Sequence, residues 1–397
     1  MDADRRRFRG GALAPELHGM TEVAVGLLLA SVWLAVWSYV LYPPWIRLLS
    51  ARRPPRPGST GGPPSVEVLV AAADEETVIG QRVQNLLEQQ VGAPYTVAIG
   101  CDGCTDGTAA RAREAAAGDP RVRVVEFGAR RGKASVLNDL VASAPAEVIV
   151  FTDANTRFDP GAVASLSGAM TNPAVGAACG RLILEAGDGR ATPESVFWEW
   201  ETRSKEAEGR LGVCLGANGA IYAARRASVQ PLPADTAMDD FLIPARIAAR
   251  GEDVVFTPDA VARESFPAGV REEFSRRFRI GIGAGQVLRR ERWLWSFRRP
   301  MIAFVFFSRK AARWLSPVAM LLALLASLGS RALFPWALAA LGLAALLALS
   351  AHGPIRRGGV RSRLYYFSVI NLALAAGVLA GLLGYRRPAW KTARSPG

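Results

Sequence analysis

Residues 66–90, VEVLVAAADEETVIGQRVQNLLEQQ, hold an apolar run, an acidic turn and a helical pattern. The run from Val66 to Ala72 predicts a buried strand, and the stretch from Thr77 to Gln90 predicts a helix. The alternation recurs, with apolar runs at 96–99, 122–125 and 148–151 and helical stretches after Thr108 and from about Gly132. This spacing predicts an α/β fold with a doubly wound, mostly parallel sheet.

Long uncharged runs lie on both sides of this segment. Residues 23–42 carry no charge and, at 1.5 Å per residue, are long enough to cross a hydrocarbon layer of ~30 Å. A secretory signal peptide is the alternative, since four arginines precede the run, but the run is long and ends at Tyr42-Pro43-Pro44 without a small-residue cleavage site. Further runs at 314–330, 332–351 and 364–385 bring the prediction to four transmembrane helices.

These patterns divide the chain into four segments. Residues 1–50 carry the first span, and 51–65 form a Pro- and Gly-rich linker, because neither a helix nor a central strand tolerates that composition. The α/β domain takes residues 66–290. The segment 291–397 holds the other three spans, preceded at 300–308 by a run too short to cross, which predicts an interfacial helix.

Composition excludes several classes of protein. The 397 residues include 48 basic and 35 acidic residues, a net charge of +13, and half are hydrophobic. Such a chain is not disordered, and long apolar runs argue against a basic nucleic-acid-binding protein, so no nucleic-acid partner is expected. Four cysteines and two histidines are too few for a disulfide scaffold or a histidine-rich metal site. Chemistry is therefore expected from carboxylates and arginines.

Arginines in the short loops predict the orientation. Four lie between the third and fourth spans, whereas the gap between the second and third holds only Arg331. This asymmetry predicts a multi-pass protein of the cell (inner) membrane with the α/β domain in the cytoplasm. The arginines at residues 5–9 conflict with this orientation unless translation starts at Met20, and the basic C-terminal tail is a second conflict.

Polar clusters follow the predicted strands, where doubly wound sheets bind their ligands. Asp74 and Glu75 follow the first strand, and Asp102 follows the second in the loop CDGCTDGT, residues 101–108. A helix cap is an equally good interpretation of Asp106 in this loop. The CxxC pattern of the loop has no second ligand pair at zinc spacing, so no metal or redox role is expected for it.

Two later clusters supply carboxylates. Asp153 and Asn155 end a predicted strand and offer the hard oxygen ligands that Mg²⁺ or Mn²⁺ takes together with a diphosphate. Asp239 and Asp240 open a predicted helix, so that one can act as a base while the other orients it. Residues 271–299 add nine arginines, which suit phosphates or anionic lipid headgroups.

In sequence order, these motifs resemble those of the membrane-embedded family 2 glycosyltransferases, which have a GT-A (Rossmann-like) fold. The group contains cellulose, hyaluronan and poly-N-acetylglucosamine synthases and ceramide glucosyltransferase. The resemblance covers about residues 66–279. It rests on DGCTDGT at 102–108, Gly132-Lys133 with Leu137-Asn138, FTDAN at 151–155, Asp239-Asp240 and Arg276-x-x-Arg279.

The resemblance implies an inverting hexosyltransferase that uses a nucleotide-diphosphate sugar, expected to be a UDP-sugar, with Mg²⁺ or Mn²⁺. The acceptor would be a glycan or a lipid, in the synthesis of cell-surface polysaccharide or glycolipid, in contact with membrane lipid. Asp240 would be the general base, beside Asp239, and Asp153 with Asn155 would hold the metal. The implied donor-binding residues are Asp74 or Glu75 with Asp102 at the base and ribose, Lys133 near the nucleotide, Asp153 at the diphosphate, and Arg276 with Arg279 at the leaving diphosphate.

Three motifs depart from the family pattern. Asp153-x-Asn155 stands where Asp-x-Asp is usual, which removes one negative ligand, and Met238-Asp239-Asp240 replaces Thr-Glu-Asp but keeps the last carboxylate. Arg276-x-x-Arg279-Ile280 lacks the tryptophan of Gln-x-x-Arg-Trp that stacks on the acceptor sugar in polymerising members, which argues against processive synthesis.

Two other functions remain open at this point. A catalytically silent, nucleotide-sugar-binding subunit of a polysaccharide export complex would not need Asp240, which is present. A transporter is less favoured because the predicted spans carry no internal charge. Aromatic residues that suit a sugar, or equally a protein core or a membrane interface, are Phe197, Trp198 and Trp200.

Overall fold

The computed structural model describes residues 13–53, 62–185, 193–265, 270–330, 332–339 and 360–385. Within these residues the chain forms two compact units. The sheet unit comprises Pro43–Phe266 and Trp293–Phe306. The helical unit comprises the described residues within Met1–Tyr42, Pro267–Arg292 and Phe307–Tyr385.

The described residues of the sheet unit build one sheet of eight strands. The first four are β1 (Val66–Ala72), β2 (Tyr95–Asp102), β3 (Val122–Phe127) and β4 (Val148–Asp153), and each pairs in parallel with its neighbour in this group. Every residue of β1 is buried, as expected for a central strand of a parallel sheet. All four strands lie where the sequence predicts them.

One helix connects each pair of these strands, as the alternating pattern predicts. These helices are α3 (Glu76–Leu87), α4 (Thr108–Ala116) and α5 (Lys133–Ser143). The buried side chains of α3, among them Ile79, Val83 and Leu86, pack into the same hydrophobic core as β1 and β2. The spacing of three and four residues between them gives the helix one apolar face, which fixes its position against the sheet.

The second half of the sheet differs from the predicted parallel arrangement. Its elements are β5 (Arg157–Phe158), α6 (Ala162–Ala169), β6 (Val175–Glu185), α7 (Pro193–Arg210), β7 (Tyr222–Arg225), α8 (Asp239–Ala249) and β8 (Asp253–Ser265). β7 runs antiparallel to both β4 and β6, and β5 runs antiparallel to β8, whereas β6 and β8 are parallel. The sheet is therefore mixed, and its strand order is β3-β2-β1-β4-β7-β6-β8-β5. A tight turn precedes β7, in which the amide of Ile221 donates to the carbonyl of Asn218.

The N-terminal helix is longer than the predicted span. It begins as α1 (Leu13–Val36), continues through a π-helical turn (Trp37–Leu41) and ends as α2 (Tyr42–Ala51). The helix continues past Tyr42, the predicted end of the span, and the amide of Tyr42 donates to the carbonyl of Trp37. This turn shifts the hydrogen-bond register just before the two prolines, which have no amide to donate. Residues Gly19–Ala51 are long and apolar enough to cross a membrane.

The run at 300–308, predicted as an interfacial helix before the second span, is continuous with that span. Helix α10 (Pro300–Val305) runs through a second π-helical turn (Phe306–Ala311) into α11 (Ala312–Leu328). The resulting run, Pro300–Leu328, is the second described helix of sufficient length and apolarity to cross a membrane. It contains Arg309, Lys310 and Arg313, which precede the uncharged run at 314–330 that was predicted as the second span.

Helices α1 and α11 are joined by polar contacts at three levels. The hydroxyls of Thr21 and Ser330 lie 2.6 Å apart, and the Nε atom of Arg313 donates to the hydroxyl of Ser38 at 2.9 Å. Between them, Ser31 and Ser316 each donate a hydroxyl proton to the other's carbonyl, at 2.9 and 3.1 Å. The pairing is antiparallel, and small polar side chains are typical of contacts between helices in a membrane.

Helices α9 (Val270–Arg290) and α12 (Val360–Leu382) approach each other through glycines. A Cβ atom on Gly281 would lie 2.5 Å from the carbonyl oxygen of Leu374, and one on Gly381 would lie 2.3 Å from that of Ile282. Such distances leave no room for any side chain. The two backbones therefore touch along this parallel pair.

The other predicted spans are only partly described. Of the run at 332–351, the structure describes residues up to 339, of which 334–339 are helical. The run at 364–385 corresponds to α12, whose apolar part is Phe367–Leu382. Most of the predicted linker, residues 54–61, lies outside the described residues. Four spans therefore remain a prediction.

Candidate active site

The polar residues predicted from the sequence follow the carboxyl ends of three neighbouring parallel strands. Asp153 ends β4 and pairs in register with Ala71 of β1, whose neighbour Ala72 pairs with Cys101 of β2. Asp102 therefore lies one strand beyond Asp74, at the same edge of the sheet. This edge is where a doubly wound sheet offers its binding crevice.

Lys133 joins two of the acidic residues. Its ammonium donates to Oδ1 of Asp153 at 2.8 Å and lies 3.4 Å from Oδ2 of Asp239. Asp239 also accepts a hydrogen bond from the buried hydroxyl of Tyr222 at 3.2 Å. The sequence placed Lys133 near the nucleotide but gave no indication that it links these two carboxylates.

Burial alone would lower the pKa of Lys133, but the charges of Asp153 and Asp239 outweigh this effect and raise that pKa above its ordinary value. The pKa of the Tyr222 hydroxyl is also raised, first by burial and then by Asp239 and Asp240. At neutral pH the site thus holds a charged ammonium and a protonated phenol, and both can donate hydrogen bonds.

Asp102 fixes the turn that delivers Lys133. Its side chain is fully buried, and its two oxygens accept hydrogen bonds from the amides of Arg131 and Gly132, at 2.8 and 2.7 Å. Gly132 has φ +93°, a conformation that favours glycine, and α5 begins at the next residue. In this structure Asp102 positions Lys133 through that turn, and its contact with a donor stays a prediction.

Asp240 lies across Gly219 from Asp153. A Cβ atom on Gly219 would be 3.7 Å from Oδ2 of Asp153 and 3.7 Å from Oδ2 of Asp240. Asp239 and Asp240 open α8, as the sequence predicts, and the amide of Ala217 donates to the carbonyl of Asp240 at 2.9 Å. Any residue larger than glycine at position 219 would place its side chain beside both carboxylates.

Asp74 is held in a different part of the same edge. Its Oδ2 accepts from Arg130 at 2.5 Å, and its Oδ1 accepts from the amide of Thr105 at 2.7 Å. Burial would raise its pKa, but the hydrogen bond from Arg130 and that from Thr105 hold it below its ordinary value. Asp74 has φ +55°. Its carboxylate lies within 4.8 Å of ligand atoms of Cys104 and Asp106, although Arg130 already supplies a positive charge there.

Glu75 precedes the first turn of α3, and its amide donates to the hydroxyl of Thr108 at 2.8 Å. Asp106 accepts hydrogen bonds from the amides of Thr108 and Glu76, both at 3.1 Å. The helix-cap interpretation of Asp106 thus describes its contacts in this structure. The binding of a donor by Asp74 or Glu75 stays a prediction.

The two predicted diphosphate arginines belong to the helical unit, on α9. Arg276 forms two hydrogen bonds with the buried carboxylate of Glu273, at 2.7 and 2.9 Å, and Arg277 binds the same carboxylate. Arg279 is exposed. Arg279 is therefore the more accessible of the two predicted guanidinium groups, and their role at a diphosphate stays a prediction.

The donor atoms at the sheet edge suit a hard divalent cation. Lys133 contacts Oδ1 of Asp153, and Oδ2 of Asp153 lies on the side of Gly219. Asn155, two residues after Asp153, is half-buried and adds a neutral amide oxygen. Oxygen ligands of this kind fit Mg²⁺ or Mn²⁺, which leave several positions for phosphate and water.

Sequence analysis missed Tyr222 and Gly219. Both lie in or next to β7, and this strand has no motif in the sequence that indicates its place beside β4. A pattern of apolar residues at 220–224 was the available signal. It predicts a strand but not the neighbour of that strand. Of the aromatic residues singled out in the sequence, Phe197 and Trp198 have side chains outside the described residues, and Trp200 is half-buried.

A protein-family model, described as Glycosyltransferase like family 2, matches residues 63–283, more than half of the chain. The chain belongs to this family. The match covers β1 to β8 and the arginine pair of α9, so the family 2 domain contains all the predicted site residues. No curated protein matches the chain significantly.

Two of the solved structures that are similar to this chain contain a bound nucleotide sugar. The mannosyltransferase PcManGT from Pyrobaculum calidifontis, in complex with GDP-Man and Mn²⁺, has a TM-score of 0.67 at 22% identity, and the match covers 91% of this chain and 99% of that chain. S. aureus TarS 1-349, in complex with UDP-GlcNAc, has a TM-score of 0.42 at 14% identity, covering 64% and 86%. The first similarity establishes that the family 2 domain has a GT-A-like fold.

Proposed function

We propose that this chain is a membrane-bound, inverting glycosyltransferase. It transfers a hexose from a nucleoside-diphosphate sugar to a hydroxyl group of a glycan or lipid acceptor, at the cytoplasmic face of the cell membrane. The observation that carries the proposal is that Asp153 and Asp240 both lie beside Gly219 in a family 2 domain, with Lys133 in contact with Asp153. This edge offers acidic oxygen atoms for a proton and an ammonium for a phosphate.

Asp240 acts as the general base. A sugar or lipid hydroxyl is a weak nucleophile at neutral pH, so a carboxylate within hydrogen-bond reach must accept its proton as it attacks. The acceptor oxygen forms a bond to the anomeric carbon while the bond from that carbon to the diphosphate oxygen breaks. The proton passes to Asp240, and the nucleoside diphosphate leaves with the electron pair. A single displacement of this kind inverts the anomeric configuration.

Cationic groups stabilise the charge that develops on the departing diphosphate. Lys133 supplies one, since its ammonium is fixed between Asp153 and Asp239 at the sheet edge. The family motif assigns another to Arg279, whose guanidinium is exposed. Fixed cations need no rearrangement as charge develops, which lowers the barrier. Bound Mg²⁺ or Mn²⁺, held by Asp153 with Asn155, would add Lewis-acid stabilisation of the same oxygen atoms.

The two long apolar helices support a membrane location. Gly19–Ala51 and Pro300–Leu328 each meet the length and hydropathy expected of a span. The polar contacts between α1 and α11 are of the kind that joins helices in lipid. An enzyme anchored in this way acts on an acceptor that is itself in or at the membrane, so we include a lipid acceptor among the candidates.

A catalytically silent, donor-binding subunit is the second candidate function. Asn155 in place of a carboxylate and Ile280 in place of tryptophan are departures that such a subunit could carry. Asp240 is the observation against it, because donor binding alone does not require a base at that position.

The test is a donor panel with purified full-length protein in detergent. UDP-glucose, UDP-galactose, UDP-N-acetylglucosamine and GDP-mannose are each incubated with Mn²⁺ and a membrane lipid extract. Release of nucleoside diphosphate is then measured with and without chelator. We expect one donor to be turned over, with release that depends on the metal and rises with acceptor lipid. Binding of a donor with no release under any condition would favour the silent subunit, and no binding at all would contradict both candidates.

A further inference from the structure

Arg82, on α3, is a buried arginine outside the predicted site. Its side chain is only 2% exposed. Burial lowers the pKa of Arg82 to about 9, although nearby acidic groups, Asp153 among them, oppose the shift. The guanidinium is therefore charged at neutral pH. A buried charge is costly in free energy unless its surroundings compensate for it, so its position needs a reason.

The contacts of Arg82 lead to the segment that carries the predicted metal ligands. Its Nη2 atom donates to the hydroxyl of Thr152 at 2.6 Å, and its Cζ atom lies 4.2 Å from the centre of the Phe158 ring. Thr152 and Phe158 stand at the two ends of the segment 152–158, which contains Asp153 and Asn155. One guanidinium thus contacts both ends of the segment.

Asn85, one helical turn after Arg82, completes this contact. Its amide nitrogen donates to the carbonyl of Phe158 at 2.9 Å, and its Oδ1 accepts from the amide of Phe158 at 2.8 Å. The same Oδ1 accepts from Nη1 of Arg82 at 2.8 Å. Arg82 and Asn85 therefore form one hydrogen-bonded unit on a rigid helix. We call these two residues the α3 clamp.

The hydrogen bonds of the α3 clamp continue through Thr152 to the residue that follows Gly219. The hydroxyl of Thr152, which accepts from Arg82, donates to the carbonyl of Ala220 at 2.7 Å. Ala220 follows Gly219, the residue flanked by the Oδ2 atoms of Asp153 and Asp240. A chain of two buried hydrogen bonds thus connects Arg82 to the loop between the metal carboxylate and the base.

We propose that Arg82 is a positioning residue for the donor and its metal. It contacts the segment 152–158 at both ends and places a buried positive charge near Asp153. The proposal rests on the proposed function. A segment that is fixed at both ends keeps its oxygen atoms in place before the metal and diphosphate bind. Groups that orient metal ligands in this way strongly affect the affinity for the metal.

Two pairs of variants test the proposal, with Mn²⁺ and either GDP or UDP as the probe. Arg82→Met removes the charge and all donors, whereas Arg82→Lys keeps the charge but cannot contact both ends of the segment. Thr152→Val removes the hydroxyl at nearly constant shape, and Thr152→Ser retains it. Binding of Mn²⁺ with the nucleotide is measured by electron paramagnetic resonance and by calorimetry, and folding by thermal unfolding.

Arg225→Lys is the matched control. Arg225 also donates to backbone carbonyls, those of Val175, Met170 and Asn172, but it pairs in register with Val148, at the opposite end of β4 from Asp153. If the other variants merely lower the stability of the fold, thermal unfolding should show a comparable loss in Arg225→Lys. Its affinity for Mn²⁺ and nucleotide should stay within about twofold of that of the unmodified protein, since mutations remote from a site act independently of it.

We expect Arg82→Met to weaken binding of Mn²⁺ with the nucleotide by roughly 10- to 100-fold, with Arg82→Lys between it and the unmodified protein. Thr152→Val should show a similar loss, and Thr152→Ser should restore binding. In transfer assays the loss should appear mainly in KM for the donor. A folded Arg82→Met protein with unchanged affinity would overturn the proposal. If Arg82→Met does not fold, equal binding by Thr152→Val and Thr152→Ser would overturn it instead. Unmodified protein that binds neither nucleotide with Mn²⁺ would contradict the proposed function itself, and this role of Arg82 with it.

Discussion

The ammonium of Lys133 lies 2.8 Å from Oδ1 of Asp153 and 3.4 Å from Oδ2 of Asp239. One cation therefore offsets part of the negative charge of two carboxylates. Asp153 is predicted to hold the metal, and Asp239 is next to the proposed base. Asn155 stands where the family usually has a second acidic ligand. The site thus contains an ammonium and one negative charge fewer than the usual family motif supplies. Replacement of Lys133 or Asn155 should therefore change the affinity of the site for cations.

Replacement of Lys133 by methionine should change two affinities in opposite directions. Loss of the ammonium removes a hydrogen bond to a charged phosphate worth about 1.5–3 kcal/mol, so affinity for the nucleoside diphosphate should fall roughly ten- to hundredfold. Affinity for Mn²⁺ without nucleotide should rise, because Asp153 and Asp239 lose their internal cation. Calorimetric titration with each ligand measures both effects.

Arg121→Met is the control for Lys133→Met, because Arg121 forms an ion pair with Asp119 at 2.7 Å at a partly exposed position. It should leave both affinities unchanged. A fall in both affinities in Lys133→Met would mean that Lys133 only maintains the fold.

Asn155→Asp should strengthen binding of Mg²⁺ and Mn²⁺, because it adds an anionic hard ligand two residues from Asp153. The midpoint of activity against metal concentration, measured at saturating donor, should shift to lower metal. Asn172→Asp, in a turn where Asn172 accepts from the amide of Ala174, is the matched control and should not shift the midpoint. Equal midpoints in the two variants would mean that residue 155 does not reach the metal.

Gly281→Ala should destabilise the contact between α9 and α12. The added Cβ atom would lie 2.5 Å from the carbonyl oxygen of Leu374, and overpacking of this kind costs about 1–3 kcal/mol. Gly26→Ala on α1 is the control, since a Cβ atom there has no neighbour within 4 Å. Thermal unfolding in detergent should show a lower midpoint for Gly281→Ala alone. Identical midpoints would contradict the close packing of these helices.

Product length should depend on Ile280. An aliphatic side chain offers no flat face to a sugar ring, so we expect addition of one or a few sugars rather than a long polymer. Ile280→Trp should lengthen the product by supplying an aromatic face, whereas Ile280→Leu should not. Sizing of radiolabelled product at large acceptor excess measures this. Long chains made by the unmodified protein beside unused acceptor would refute the prediction.

The first half of the sheet could be predicted closely from the sequence. The apolar runs at β1 and β4 are short and followed by acidic turns, and this local pattern predicts both the strand and the edge at which Asp153 lies. The position of Asp240 at the start of α8 was also predictable, because acidic residues are favourable in the first turn of a helix.

The place of β7 in the sheet and the contacts of Tyr222 and Arg82 depend on residues that are distant in the sequence. β7 carries no signal that it pairs antiparallel with β4, so the proximity of Tyr222 to Asp239 could not be predicted. In the sequence, Arg82 is one polar residue of an amphipathic helix. Its hydrogen bond to Thr152 becomes visible only in the folded chain. The helix across Pro43 continues because of a π-helical turn, a feature of hydrogen-bond register that residue composition does not reveal.

The central claim is that Asp240 is the base of a glycosyl transfer. The most direct measurement compares Asp240→Asn with Asp259→Asn, an exposed aspartate on β8, in donor turnover and in binding of Mn²⁺ with nucleoside diphosphate. We predict that Asp240→Asn lowers turnover by roughly 10² to 10⁴, the usual contribution of general acid-base catalysis, with binding nearly intact. Asp259→Asn should match the unmodified protein in both. Turnover by Asp240→Asn at the rate of the unmodified protein would contradict the account.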